Sequence, residues 1–412
     1  MNFSARFIPV ILLLVFTISC KQQSENSSEQ TAEQIHQEVL TIDTHTDSPL
    51  NLTDPGFDIG EKHSYEESRT SLDFPRMEEG NLDAVFFAVF IGQEERTTEG
   101  YRKARDRADQ LFTEIRESVN AYPEMATLAK TPEDAYNIEK KGERAIYIGL
   151  ENGYPIGKDL SYVNKYYDMG ARYITLCHSS NNDICDSSTD PEGPEHNGLS
   201  DFGEKVVQRM NKLGMIVDVS HISDEAFFDV IEQSKAPIMA SHSGVRALRD
   251  HPRNLSDSML TALEKNNGVI QICLFSSYLI NPGPNPARDS AIKALRNKYD
   301  NFEGLSKERM AQARDEWRAM QEKYPREMAT VEDVVDHIDY VVEHIGLEHV
   351  GIGTDFDGGA RVEDCLDVSE IGNITRELVK REYSKEEIEK IWGGNFMRVF
   401  RKVIEISEKR AS

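Results

Sequence analysis

The chain has 412 residues, with 47 lysines and arginines against 72 aspartates and glutamates, a formal net charge of −25. A surface this acidic repels phosphate backbones, which argues against a nucleic-acid partner and fits an extracytoplasmic enzyme handling small or cationic ligands. Hydrophobic residues make up 39 %, enough to give one large domain or two ordinary ones a sizeable core.

From the N-terminus, Arg6 precedes an apolar run from Phe7 to Phe16, and "TISC" follows, ending at Cys20. A bilayer-spanning helix needs about 20 apolar residues, so this shorter run reads as the core of a secretory signal. A small residue just before a cysteine resembles the lipobox of bacterial lipoproteins, which implies cleavage before Cys20 and a lipid chain on its sulfur. A cleaved, soluble periplasmic protein is the alternative. Residues 1–19 are thus expected to be a signal peptide. Residues 20–34 are nearly free of apolar side chains and read as a tether that cannot bury enough surface to fold. The expected location is a bacterial cell envelope, with the chain lipid-anchored, periplasm-facing or on the outer membrane. Membrane contact would run through the anchor alone.

Residues 35–412 then read as a single domain. Eight short runs are apolar at most positions, as strands covered on both faces are: Val39–Thr44, Leu82–Ile91, Ala145–Leu150, Ala171–Cys177, Met215–Ser220, Pro237–Ser241, Val269–Phe275 and His349–Thr354. Helix starts lie between them. Thr131-Pro132 with Asp134, Ser223 before "DEAFFDVIEQS", Thr330 with Asp333, and Ser384 with Glu387 all have the chemistry of N-caps. Gly346 is placed to end the third of these helices. Eight strands alternating with helices predict an α/β fold, a (β/α)8 TIM-like barrel, with a doubly wound open sheet as the competing arrangement. A segment of about 281–325, opening "NPGPNP", predicts a helical insertion between the seventh and eighth strands. Cys177 and Cys185 could pair as a disulfide or stay buried thiols.

The strand ends carry the chemistry. The first run ends at His45 and Asp47, the third at Glu151, the fourth at His178, the fifth at His221, the sixth at His242 and the eighth at Asp355. In a barrel all these ends face one mouth. Two-residue spacing puts His45 and Asp47 on the same side of an extended segment. Taken singly, each residue has packing or turn-capping as its simpler role, and Asp357 competes with Asp355. Taken together, imidazoles and carboxylates without thiolates suit zinc and its neighbours. Three histidines and two carboxylates are about what two ions need when one carboxylate bridges. Such a pair, roughly 3.5–4 Å apart, polarises a carbonyl and turns water into hydroxide near neutral pH. His178 and Asp355 would then stabilise the transition state and shuttle protons.

At these residues the chain resembles the membrane dipeptidase (renal dipeptidase) family of zinc metallopeptidases, in the amidohydrolase superfamily. The similar stretches run in order from "IDTHTDSP" through "GLENG", "RYITLCHSSNN", "GLSDFGEKVVQRMNKLGMIVDVSHISD", "ASHSGVRAL", "HPRN" and "HVGIGTDFDGG" to "GGNFMRVF". The resemblance implies a dipeptidase with two Zn2+ per chain. His45 and Asp47 would hold one ion, His221 and His242 the other, and Glu151 would bridge. His178 would contact the substrate or the intermediate's oxygen, Arg253 would grip the dipeptide's terminal carboxylate, and Asp355 would move protons. Relatives often have glycine where Asn152 follows the bridging glutamate. The expected partner is a small dipeptide, and similar proteins are commonly homodimers. An amidohydrolase acting on N-acyl amino acids or lactones is the nearest alternative, and a non-catalytic binding lipoprotein the more distant one.

Overall fold

Along Ala84–Phe90 (β2), Ala84 and Phe86 point to one apolar cluster while Val85, Phe87 and Val89 point to another. The same period-two division recurs in Arg144–Glu151 (β4), where Ala145 and Tyr147 face Phe86, and Ile146, Ile148 and Leu150 face the helices. This computed structural model describes residues 31–299 and 307–411. Ile42–Thr46 (β1), β2, β4, Ala171–Thr175 (β5), Ile216–Asp218 (β6), Met239–Ser243 (β7), Val269–Ile272 (β8) and Val350–Ile352 (β9) are neighbours in that order, all parallel. The ring closes just beyond the strand ends. Asp355 N donates to the His45 carbonyl at 2.9 Å, and Asp47 N to the Phe356 carbonyl at 2.8 Å. The sheet is therefore a barrel with helices outside it, and the open-sheet alternative is set aside.

The barrel floor is aromatic. Phe86 stacks on Tyr147 and Tyr173, with ring centroids 4.7 and 5.3 Å away, and meets Phe396 edge-on at 5.3 Å. Phe396 belongs to the C-terminal helix Asn395–Ala411, which plugs the lower end with Phe400 and Val403. Gly149 makes room for this floor, since a Cβ there would lie 2.0 Å from the Tyr173 ring.

All eight expected strands are present, with boundaries shifted by at most three residues. A ninth, Ala126–Leu128 (β3), pairs only with β4 and was not anticipated. The four expected N-caps occur, three of them as full capping boxes, and Gly346 follows Val331–Ile345. The insertion folds as Pro286–Lys298 and Lys307–Lys323 between β8 and β9. Cys177 and Cys185 are buried free thiols. The expected signal peptide and Cys20 lie outside the described residues. The expected tether is too long: residues 31–38 are helical and Ala32 is buried, so the folded body begins by Thr31. Among the described residues no helix is long and apolar enough to cross a membrane.

Candidate metal centre

The barrel mouth gathers every residue singled out at the strand ends. Glu151, the last residue of β4, presents its two oxygens in different directions. Oε2 lies 3.4 Å from His45 Nε2, while Oε1 lies 3.1 Å from His221 Nε2 and 3.6 Å from His242 Nε2. Three overlapping groups each place one donor atom per residue within 4.8 Å of the others: His45, Asp47 and Glu151; His45, His242 and Asp355; and Glu151, His178 and His221.

Several of these residues reach the cluster through unusual backbone. His221, Asp355 and Asn152 have φ of 73°, 63° and 74°, in the left-handed region. Non-glycine residues pay a steric cost there, which the surroundings must offset. Asn152 shows how. Its Nδ2 donates to the Ile91 carbonyl at 2.9 Å, and its Oδ1 accepts from Tyr154 N and Asn182 Nδ2, each at 3.1 Å. Asparagine tolerates left-handed φ better than most residues, and these bonds hold it there.

The far sides of two imidazoles are fixed. His45 Nδ1 meets the Tyr173 hydroxyl at 2.8 Å, joining the aromatic floor to the cluster. His242 Nδ1 lies 2.8 Å from Ser241 Oγ, whose proton goes to Asp218 Oδ2 at 2.6 Å. Ser241 must therefore accept from His242 Nδ1–H, which leaves the His242 Nε2 lone pair facing the cluster. Asp43 supports the rim from below, accepting from Thr354 N at 2.8 Å and His45 N at 3.1 Å. Tyr173, Ser241, Asp218 and Asp43 were not among the expected site residues.

The buried carboxylates repel one another, while His45 attracts them and, with His221, holds Glu151 well below the usual carboxylate range against the effect of burial. Burial, then Glu151, pushes the Asp47 carboxyl well above the usual range. Burial opposes charge on His45, yet Glu151, Asp47 and Asp355 raise it to about 10. Burial and nearby positive groups hold His221 and His242 well below the usual imidazole value. His45 Nε2, Asp47 Oδ1 and Glu151 Oε2 are buried without a hydrogen-bond partner among the described residues. Buried carboxylates with unpartnered oxygens call for a cation. Imidazole nitrogen and carboxylate oxygen suit zinc or a neighbouring divalent metal, so the donor set fits the metals the sequence pattern implies.

The remaining residues surround this cluster. His178 is the imidazole a substrate can reach, its side chain 30 % exposed and its Nε2 3.9 Å from Glu151 Oε1. Burial holds it below its usual pKa, with Glu151 opposing. Arg253 is buried, donates from Nη2 to the His242 carbonyl at 3.1 Å and lies 5.3 Å from the Tyr278 ring centroid. Its Nε has no partner among the described residues. Asp355 Oδ1 is 3.9 Å from His45 Nε2, and burial raises this carboxyl to about 7. Asp357 lies outside these donor groups and accepts from Ser48 Oγ at 2.5 Å and Ser71 N at 2.7 Å.

A (β/α)8 barrel with imidazole and carboxylate donors converging at its C-terminal rim defines a metal-dependent hydrolase. Residues 29–412 match the family described as membrane dipeptidase (peptidase family M19), to which this chain belongs. It is a metallopeptidase of dipeptidase type. It is 32 % identical to dipeptidase tcpJ of Claviceps purpurea (strain 20.1), over 82 % of this chain and 70 % of that protein. With dipeptidase aclJ of Aspergillus oryzae (strain ATCC 42149 / RIB 40) the identity is 31 %, over 84 % of this chain and 73 % of that protein. The crystal structure of the probable dipeptidase PvdM from Pseudomonas aeruginosa superposes with a TM-score of 0.81 at 32 % identity, covering 92 % of this chain and 99 % of that one.

Proposed function

We propose that the chain is a dinuclear zinc dipeptidase, with His45 and Asp47 on one ion, His221 and His242 on the other, and Glu151 between them. The observation that carries this reading is the divergence of the Glu151 oxygens, one toward His45 and the other toward His221 and His242. Zinc ions held there would polarise the scissile carbonyl and acidify the attacking water.

Arg253 holds the substrate's terminal carboxylate, a task suited to a buried guanidinium with an unpartnered Nε–H. This fixes the scissile bond one residue from that carboxylate. His178, neutral and solvent-facing, donates a hydrogen bond to the oxygen on which negative charge develops. Asp355 takes a proton from the attacking water and passes it to the leaving amine, a role for which a carboxyl raised to about 7 is matched near neutral pH. Cys20 carries the lipid that tethers the enzyme to an envelope membrane, and the working unit is a homodimer.

Hydrolysis of Ala-Ala beside N-acetyl-alanine and a simple lactone tests the assignment of substrate. Selective cleavage of Ala-Ala supports it. Faster turnover of either of the others would move the reading to another amidohydrolase activity.

A further inference from the structure

The helical insertion, the connection from β1 to β2 and the loop after β9 enclose a cavity of about 1100 Å³. Six arginines line it: Arg69, Arg288, Arg296, Arg318, Arg326 and Arg361. Only Glu322 and Asp357 oppose them among the lining residues, and Asp357 is engaged with Ser48 and Ser71. Two guanidiniums are anchored. Arg361 Nη1 donates to the Tyr65 hydroxyl and Arg288 Nη1 to the Tyr324 carbonyl, both at 2.5 Å. Burial and then the positive charges of Arg326 and Arg361 push Arg288 below its ordinary range. Such a concentration of positive charge stands out in a chain of net charge −25. It also departs from the preference for cationic ligands that the overall charge suggests. Met310, Trp317 and Met328 supply apolar wall between the arginines.

The cavity and the metal centre share a loop. Asp357, Gly359 and Ala360 line the cavity, and Asp355 stands two residues earlier at the cluster. Gly358 packs tightly between them: a Cβ on it would lie 2.1 Å from Asp355 Oδ1 and 2.8 Å from Asp47 Oδ2. The cavity therefore sits on the β9–β1 side of the rim, whereas Arg253 follows β7. A dipeptide held by its carboxylate at Arg253 has its first residue across the scissile bond from that guanidinium.

We propose that this cavity is a substrate subsite for the first residue of the dipeptide, selecting side chains that carry an anionic group on an apolar or aromatic stem. Convergent guanidiniums match carboxylate or phosphate oxygens, and the methionines and Trp317 match the stem. The proposal rests on the dipeptidase reading and names its substrate class.

The test is kcat/KM of the metal-loaded protein on Ala-Ala, Tyr-Ala, Glu-Ala and O-phosphotyrosyl-Ala. The two acidic dipeptides are expected to be preferred, phosphotyrosyl-Ala most. Arg326 is exposed, so Arg326→Met probes the cavity with little risk to folding, and Arg288→Met serves as a second variant. Each should lower the ratio of acidic to neutral kcat/KM by on the order of tenfold, mainly through KM. Arg326→Lys should restore part of that loss. Cleavage of Ala-Ala without acidic preference, or a ratio unchanged in both methionine variants, overturns the subsite and leaves the dipeptidase reading standing. No cleavage of any of the four by folded, zinc-loaded protein overturns both.

Discussion

The Nε2 atoms of His221 and His242 face each other at 2.9 Å in the barrel mouth. Ser241 and Asp218 hold the proton of His242 on the opposite nitrogen, so this ring turns a lone pair toward its neighbour. A shared cation satisfies that arrangement for both rings at once. Ser241→Ala removes the oxygen that fixes the tautomer without touching a candidate donor. Metal affinity should fall by about 10–100-fold, the usual effect of losing such a partner, as read by competition with a chromogenic chelator. Unchanged affinity would mean that the tautomer does not matter to binding.

His178 stands close enough to Glu151 and His221 to serve as a donor itself, yet it is the most exposed imidazole of the group. That exposure places its role on the substrate side. His178→Ala should lower kcat by on the order of 100–1000-fold while metal content stays unchanged. Loss of metal from this variant would make His178 a ligand.

Arg253 has no acidic partner at hydrogen-bonding distance among the described residues, and its guanidinium is buried. Arg253→Met should lower kcat/KM on dipeptides by on the order of 100-fold and have much less effect on dipeptide amides, which lack the carboxylate. Equal losses on both would argue that the residue supports the fold and does not grip the substrate.

Far from the mouth, Asp83 accepts from Thr41 N and Thr41 Oγ1, each at 3.0 Å, and lies 3.4 Å from Arg144 Nη1. Burial raises its carboxyl to about 6, with Thr41 and Arg144 opposing. The folded state thus binds this proton more tightly than the unfolded chain. The contribution to stability is present in full below about pH 4 and is lost as pH rises through about 6. Asp83→Asn abolishes the effect. Between pH 4.5 and 7.5 the wild type should lose about 2 kcal/mol more stability than the variant, measured by urea unfolding. Parallel pH profiles would contradict it.

That the rim residues would cluster was legible because polar groups that are costly to bury ended runs that were otherwise apolar. His45, Glu151, His221 and His242 each broke such a run. Their supports were not legible. Tyr173 lies inside "ARYIT" and reads as one more core aromatic, and only the fold brings its hydroxyl to His45. Asp43 and Asp218 share the strand-end pattern, but they serve backbone and hydroxyl groups, a distinction that spacing cannot make. β3 has three residues, too few for any periodicity to show. The left-handed turns at His221 and Asp355 carry no glycine to mark them. The arginine cavity draws on segments from Tyr65 to Leu366, and their convergence depends on the insertion folding back over the rim.

The residues gathered around Glu151 are expected to hold catalytic metal. The most direct measurement is metal content by mass spectrometry of purified protein, paired with Ala-Ala hydrolysis before chelation, after it and after zinc is restored. About two zinc ions per chain are expected, with activity lost on chelation and recovered with zinc. Full hydrolysis by folded protein stripped of metal would contradict it.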